Sequence, residues 1–357
     1  MVARARATPA TPDAWNVHAW KEMFQTLALR ALAGKCPSSL PRLAHVTKLS
    51  PRVTRILGLN PSALTLRGTN TYLVGVGRER VLIDCGEGRR GYCELVLGAM
   101  REEGVERIKA VLCTHWHPDH VGGLRTLRRA LGGDVPAYKM IRRGHGEFAL
   151  SDATQTSVRA YVPIEDDDVI RVEGATLRAL HTPGHTADHV CFALEEEGAI
   201  FAGDCVLNGS TTDFEDLSAY STSLLRLRDE LASFASRGVK HRGENRLYPS
   251  HGDVVADGAL KVNGFIKHRV SRETILLNTL REHVREGMTA WELTRAVYAS
   301  LVSSLVLYTS CAKITRQHVQ KMLDDGVVRE TRRPSALSSV TFGLLGADVV
   351  RYHAVSP

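Results

Sequence analysis

The sequence has too few cysteines, in the wrong places, for a covalent framework. Its seven, Cys36, Cys85, Cys93, Cys113, Cys191, Cys205 and Cys311, are scattered and odd in number, with no C-x-x-C pair. A secreted disulfide scaffold carries an even number at close spacing, so a reducing compartment is expected, with the thiols as small core residues. Long apolar runs are missing as well. No stretch reaches the ~18 residues that mark a membrane-spanning helix, so no membrane partner is expected. The opening MVARARATPA lacks the apolar core of a secretory leader. Aromatic residues amount to only 6%, with no cluster of the kind that stacks RNA bases. Any RNA bound would be held by its backbone, with weak sequence preference. There is no internal repeat and no low-complexity tract.

What is present reads as an ordinary soluble protein, 43% hydrophobic and 24% charged. At 357 residues, one large domain and one smaller domain are expected. The net charge of +7 permits an acidic partner and also suits a mitochondrial protein. Residues 1–45 stand apart as an extension, with six Lys or Arg against only Asp13 and Glu22. Within it, WKEMFQTLALRALAG (20–34) sets Trp20, Phe24, Leu27 and Ala31 at helical spacing, with Lys21 and Arg30 off that stripe. A basic, acid-poor, amphipathic start reads as a mitochondrial transit peptide, which would place the protein in the matrix. The alternative is an extra surface helix on a cytoplasmic protein.

Residues 46–260 alternate between strand-like and helix-like runs. TYLVGV (71–76), RVLIDCG (80–86) and KAVLCTH (109–115) predict strands, and Leu124, Leu127 and Leu131 predict a helix that Gly132-Gly133 stops. VIRVEGATLRALHTPGH (169–185) predicts two strands around Glu173-Gly174. VCFALEEEGAIFAGD (190–204) predicts a hairpin, and RLYPSHG (246–252) a last short strand. Residues 261–357 turn helical. Ile275, Leu276, Thr279 and Leu280 mark one helix, TAWELTRAVYA (289–299) a second and CAKITRQHVQKMLDDG (311–326) a third. VVRETRRPS and the β-prone runs SVTFGLL and VVRYHAV follow, the outline of a winged helix.

One segment gathers unusual chemistry. THWHPDH (114–120) puts His115, His117, Asp119 and His120 within six positions. In extended chain, His115 and His117 fall on one side, and Pro118 holds off the helix so that Asp119 and His120 open a turn toward a neighbouring centre. Imidazole and carboxylate together suit zinc, and also manganese or iron. Three more donors sit at strand ends: His185 in HTPGHTADH, Asp204 in FAGD and His251 in YPSHGD. A sheet can deliver all of them to one edge. Two metals need about seven nitrogen and oxygen ligands with one carboxylate bridging, and five histidines and two aspartates supply them.

These motifs, in this order, resemble the metallo-β-lactamase superfamily. LRGTNTYLVGVG (66–77), LIDCGEG (82–88), THWHPDHVGG, HTPGHTADH, LEEEGAIFAGDCVL (194–207) and TTDFEDL (211–217) narrow the resemblance to the β-lactamase-like protein 2 family, over roughly residues 46–357. The resemblance implies an α+β fold, a four-layer αββα sandwich with a winged-helix-like C-terminal domain and two Zn2+ at one edge. It implies that His115, His117 and His185 hold one zinc, that Asp119, His120 and His251 hold the other, and that Asp204 bridges. Ser250 replaces a glycine often seen before the last histidine. Members of that family include an endoribonuclease acting on single-stranded RNA, and similar fungal proteins are thioesterases acting on a carrier protein.

The expected function is therefore hydrolysis by metal-bound hydroxide, with Asp119 and Asp204 as catalytic carboxylates. Single-stranded RNA is the first substrate expected. A thioester, of acyl carrier protein or glutathione type, is the alternative, and a non-catalytic metal-binding scaffold is the third reading. Asp204 to His251 spans 47 residues, too short for the inserted domain of related nucleases. His117 stands where oxygen-reducing relatives carry Glu. Arg329, Arg332 and Arg333 lie on the expected wing, placed to contact phosphates, unless the wing is a packing module with a solvated tip. Asp84 ends a strand where it can orient a ligand histidine or merely close a turn. His189 lines the pocket or makes a structural hydrogen bond. Trp116 reads as packing, Asn70 and Thr71 as the rim, and His145 and His181 as ordinary. Fused to a fluorescent reporter, residues 1–45 are expected to carry it into mitochondria. Diffuse cytoplasmic fluorescence would reject the transit-peptide reading.

Overall fold

Strand side chains alternate between two cores, and that alternation sets the architecture. The computed structural model describes residues 34–36, 38–133, 135–141, 161–237, 245–299, 305–333 and 349–355. The basic start through Ala33, His145 and the run SVTFGLL lie outside the described residues. A seven-stranded sheet runs in chain order: β1 (Val46–Lys48), β2 (Val53–Leu57), β3 (Asn70–Val74), β4 (Glu79–Ile83), β5 (Arg107–Leu112), β6 (Ala137–Lys139) and β7 (Val162–Pro163). A five-stranded sheet holds β8 (Val169–Val172), β9 (Ala175–His181), β10 (Val190–Leu194), β11 (Ala199–Gly203) and β12 (Leu247–Pro249).

In β3, Tyr72 and Val74 point between the sheets and Leu73 points outward; in β10, Val190, Phe192 and Leu194 point between them and Cys191 and Ala193 outward. Phe201 and Tyr248 stack in the middle layer with centroids 4.9 Å apart, and Tyr72 tilts against both. Leu73 and Val111 are covered by α1 (Tyr92–Glu102), the short α2 (Pro118–Val121) and α3 (Leu124–Ala130). Cys191 and Ala193 are covered by α4 (Leu217–Ser236) and the first half of α5 (Gly258–Glu282). The result is a four-layer αββα sandwich.

Beyond it lie α6 (Ala290–Tyr298), α7 (Leu305–Asp324) and the antiparallel pair β13 (Val328–Arg333) and β14 (Val349–Ala354). Thr289 and Glu292 close α6 with a reciprocal capping box. The boundary expected between residues 260 and 261 falls inside α5. Val262 and Phe265 on that helix pack against the second sheet, whereas Leu276 and Leu280 join Leu293, Val319 and Met322 in a separate core. Neither α1 nor α4 is anticipated in the sequence. In α4 the buried positions Leu217, Tyr220, Leu224, Leu227, Leu231 and Phe234 keep helical spacing, with buried Ser223 among them and small Ser and Thr residues blurring the pattern.

His318 on α7 is fully buried, and burial, with Arg269 and Arg272 nearby, pushes its pKa down to about 3. The unfolded chain takes up this proton near pH 6.5, the folded chain only near about 3. Stability is therefore intact above the upper value and falls as the pH drops through that window, by at most about 1.4 kcal/mol per pH unit. His318→Leu is expected to flatten this fall in acid denaturation followed by circular dichroism. An unchanged acid limb would contradict the assignment.

Candidate metal centre

Leaving β5, the chain bends at Thr114 and again at Trp116 rather than staying extended, and enters a short helix after His117. His117 caps α2 at φ −59° and ψ 143°, and Pro118 supplies its first turn. The turn after β9 presents His185. Gly184 in that turn has φ 126°, and a Cβ there would meet the Tyr220 backbone at 2.3 Å, so only glycine fits. Asp204 follows β11 and His251 follows β12, strands that run parallel. Asp84 follows β4, parallel to β5.

All seven predicted donors come together, in two groups. His115, His117, His185 and Asp204 have donor atoms within 4.8 Å of one another, as do Asp119, His120 and His251. The Asp204 carboxylate reaches into both. Its Oδ2 lies 3.6 Å from His185 Nε2, and its Oδ1 lies 3.6 Å from His120 Nε2 and 3.4 Å from His251 Nε2. Asp119 Oδ2 is 3.4 Å from both His120 Nε2 and His251 Nε2. Six of the seven are buried, and His117 is half-buried.

The donor chemistry fits a pair of cations. His185 Nδ1 donates to the Asp213 carbonyl at 2.7 Å, so its Nε2 carries a lone pair. That Nε2 is 3.2 Å from His115 Nε2 and 3.1 Å from His117 Nδ1, and those two are 2.8 Å apart. Burial pushes His115, His117 and His185 down, toward neutral rings with one N–H each. Three converging imidazole nitrogens are poorly served by so few protons and well served by one divalent cation. In the second group, buried His120 Nε2 lacks a hydrogen-bond partner among the described residues, and so does Asp204 Oδ1. Burial opposes charge on His120 and His251. The carboxylates of Asp119, Asp84 and Asp204 outweigh it at His120, lifting that ring well above its ordinary value, and Asp204 and Asp119 lift His251 to about 9.

A ring of hydrogen bonds fixes the donors from behind. Asp84 Oδ2 accepts from His120 Nδ1 at 2.7 Å, and Asp84 also accepts the Thr114 N–H and hydroxyl. His189 is fully buried: its Nε2 accepts the Asp204 N–H at 3.0 Å, and its Nδ1 pairs with the Thr182 hydroxyl. It therefore holds the Asp204 backbone rather than lining a pocket. Asn70 Nδ2 donates to the carbonyls of Pro249 and Gly252, both at 2.7 Å, bracketing His251. Thr71, expected at the rim, instead donates to the buried Ile56 carbonyl. Trp116 packs edge-on against His117, and His181 pairs with the Ala187 carbonyl. Thr69, which sequence reasoning passes over, donates its hydroxyl to Asp119 Oδ2 at 2.9 Å while accepting from Asn60 Nδ2. Its signal lies in the motif LRGTN, where it precedes Asn70. Arg329 and Arg332 are exposed on β13, Arg332 pairs with Glu330 at 3.0 Å, and the Arg333 side chain lies outside the described residues.

Comparison with known proteins agrees with this geometry. The sequence pattern of the metallo-beta-lactamase superfamily matches residues 64–238. A beta-lactamase-like protein 2 homolog from Caenorhabditis elegans is 37% identical over 294 residues, covering 81% of this chain and 91% of that protein. An atrochrysone carboxyl ACP thioesterase from Aspergillus terreus is 36% identical over 304 residues, covering 82% and 87%. Among solved structures, a beta-lactamase domain protein from Burkholderia ambifaria shares the fold with a TM-score of 0.66 at 18% identity, over 92% of this chain and 99% of that one.

Two outcomes test the centre. His251, lifted to about 9 by Asp204 and Asp119, would give up a proton to a bound metal, so metal affinity is expected to rise with pH toward about 9 in chelator competition. An affinity that is flat across that range contradicts the proton count. Asp84→Ala is expected to weaken metal binding roughly 10- to 100-fold by freeing the His120 ring. Binding as tight as in the unaltered protein would reduce Asp84 to a turn residue.

Proposed function

This chain belongs to the metallo-beta-lactamase superfamily, and on that premise we propose that it is a zinc-dependent endoribonuclease cleaving phosphodiesters of single-stranded RNA. The observation that carries the reading is the Asp204 carboxylate, with one oxygen toward each donor group. Two adjacent cation positions suit phosphoryl transfer, in which charge develops on the attacking and the departing oxygen together. When bound, the cations would polarise the phosphoryl group and bring the pKa of an attacking water toward about 7. His115, His117 and His185 would hold one cation, and Asp119, His120 and His251 the other.

The protein's own part is orientation. Asp84 pins His120 through Nδ1, the Asp213 carbonyl pins His185 through Nδ1, and the Thr69 hydroxyl fixes Asp119 Oδ2 as an acceptor. Asp119 and Asp204 are the two catalytic carboxylates, and their negative charges would offset part of the charge of the two cations. The net charge of +7 permits a polyanionic substrate. In this reading, residues 261–357 form a winged-helix-like domain, Arg329, Arg332 and Arg333 contact phosphates, and residues 1–45 direct the protein to the mitochondrial matrix.

One observation supports a second reading, a thioesterase. An open groove of about 690 Å³ is lined by Gly209, Thr211, Val255, Leu260 and Phe265, with Lys261 among its polar residues. Asn208, just before Gly209, donates its N–H to the His251 carbonyl at 3.1 Å. An apolar groove so close to a donor suits an acyl chain better than a phosphodiester. The 36% identity to a carrier-protein thioesterase supports the same reading.

A side-by-side assay decides between them, with unstructured RNA, an acyl thioester and a lactam as substrates, each with and without chelator. RNA cleavage is expected, abolished by chelator and reduced roughly 100-fold or more in Asp119→Ala. Robust thioester turnover with the RNA left intact would reverse the assignment.

A further inference from the structure

One buried cation lies behind the metal centre without belonging to it. Arg269, on α5, is 5% exposed. Its described partners include a carbonyl, the Tyr220 hydroxyl and two aromatic faces, and its buried Nε has no hydrogen-bond partner among the described residues. Nη2 donates to the Thr212 carbonyl at 2.9 Å, and the guanidinium lies 4.8 Å from the Phe214 ring centre and 5.6 Å from that of Tyr220. Those two rings stack on each other at 5.4 Å. Burying a guanidinium is costly unless it is hydrogen-bonded, and cation–π contact offsets part of the cost.

The loop that Arg269 grips touches both sides of the site. The Thr212 hydroxyl donates to the Asp204 carbonyl at 2.5 Å, and the Asp213 carbonyl accepts from His185 Nδ1 at 2.7 Å. The Glu215 and Asp216 N–H groups donate to the Gly184 carbonyl, and the Tyr220 hydroxyl donates to the Cys205 carbonyl at 2.7 Å. Five hydrogen bonds thus bind residues 212–220 to the two turns that present His185 and Asp204. Arg269 anchors this loop through the Thr212 carbonyl and the Phe214–Tyr220 stack. Lys313 on α7 adds an outer strut, an ion pair with Asp213 at 2.7 Å between two well-exposed side chains. Its exposure makes it a weak tie.

We propose that Arg269 is a positioning residue for the metal centre. It holds the 212–216 loop so that His185 Nε2 and the Asp204 carboxylate converge on one cation. The inference rests on the dinuclear reading of the site and extends it to a residue on another layer.

Cobalt(II) titration of the full chain tests it, read by visible absorption and by chelator competition. Failure of the unaltered protein to bind cobalt would sink the site itself. Given binding, Arg269→Met is expected to weaken it about tenfold or more and to alter the cobalt spectrum. Arg269→Lys, which keeps charge but loses the planar fork, is expected to recover part of the affinity. Leu276→Ala, a core truncation away from the loop, serves as the stability control and is expected to leave affinity and spectrum alone. Arg269→Met binding within about twofold of the unaltered protein with the same spectrum would overturn the proposal. So would an equal loss in Leu276→Ala. If Arg269→Met does not fold, the Lys variant decides: intermediate affinity supports the proposal, and full affinity with an unchanged spectrum overturns it.

Discussion

Imidazole nitrogens that face one another in a dry site must share something positive. His115, His117 and His185 converge to 2.8–3.2 Å, beside a carboxylate that also reaches His120 and His251. Bare lone pairs at such distances repel, and burial removes the water that would separate them. Two cations would turn the same crowding into coordination. The strand ends of both sheets deliver these seven side chains to one place.

The delivery works because donors follow the C-terminal ends of strands in both sheets. Strands of fixed register place a residue at their ends more reproducibly than a free loop does. Backbone strain is accepted where the delivery requires it. Asp84 sits at φ 57°, a left-handed conformation that costs a residue with a Cβ on the order of 1 kcal/mol. The hydrogen bonds from Thr114 and His120 to its carboxylate hold it there. Farther out, the 212–216 loop, α5 and Arg269 close the site from the second sheet, so support comes from three of the four layers.

Much of the centre was legible in the sequence because its chemistry is local. THWHPDH packs four donors around a proline, and His185, Asp204 and His251 each follow a recognisable strand. The strands of the second sheet were readable from the residue pattern, and the two-sheet sandwich from the family resemblance. What was not legible depends on long-range partners. Thr69 and Asn60 are ordinary polar residues until the fold sets Thr69 beside Asp119, fifty positions away. Arg269 looks like any helical arginine until Thr212, Phe214 and Tyr220 close over it. The sequence alone does not tell whether His189 lines the pocket or makes a structural hydrogen bond, because only the fold brings its Nε2 to the Asp204 N–H. The change of pattern near residue 261 marks where α5 exchanges one packing partner for another, not where the chain breaks.

The central claim is that Asp204 couples two cations in one oxygen- and nitrogen-lined site. X-ray absorption at the K-edge of the metal bound by the full chain reads that arrangement directly. The account predicts nitrogen and oxygen neighbours at about 2.0–2.2 Å and a second metal at about 3.5–4 Å. A spectrum with sulfur in the first coordination sphere, or with no metal–metal scattering at full loading, would contradict it.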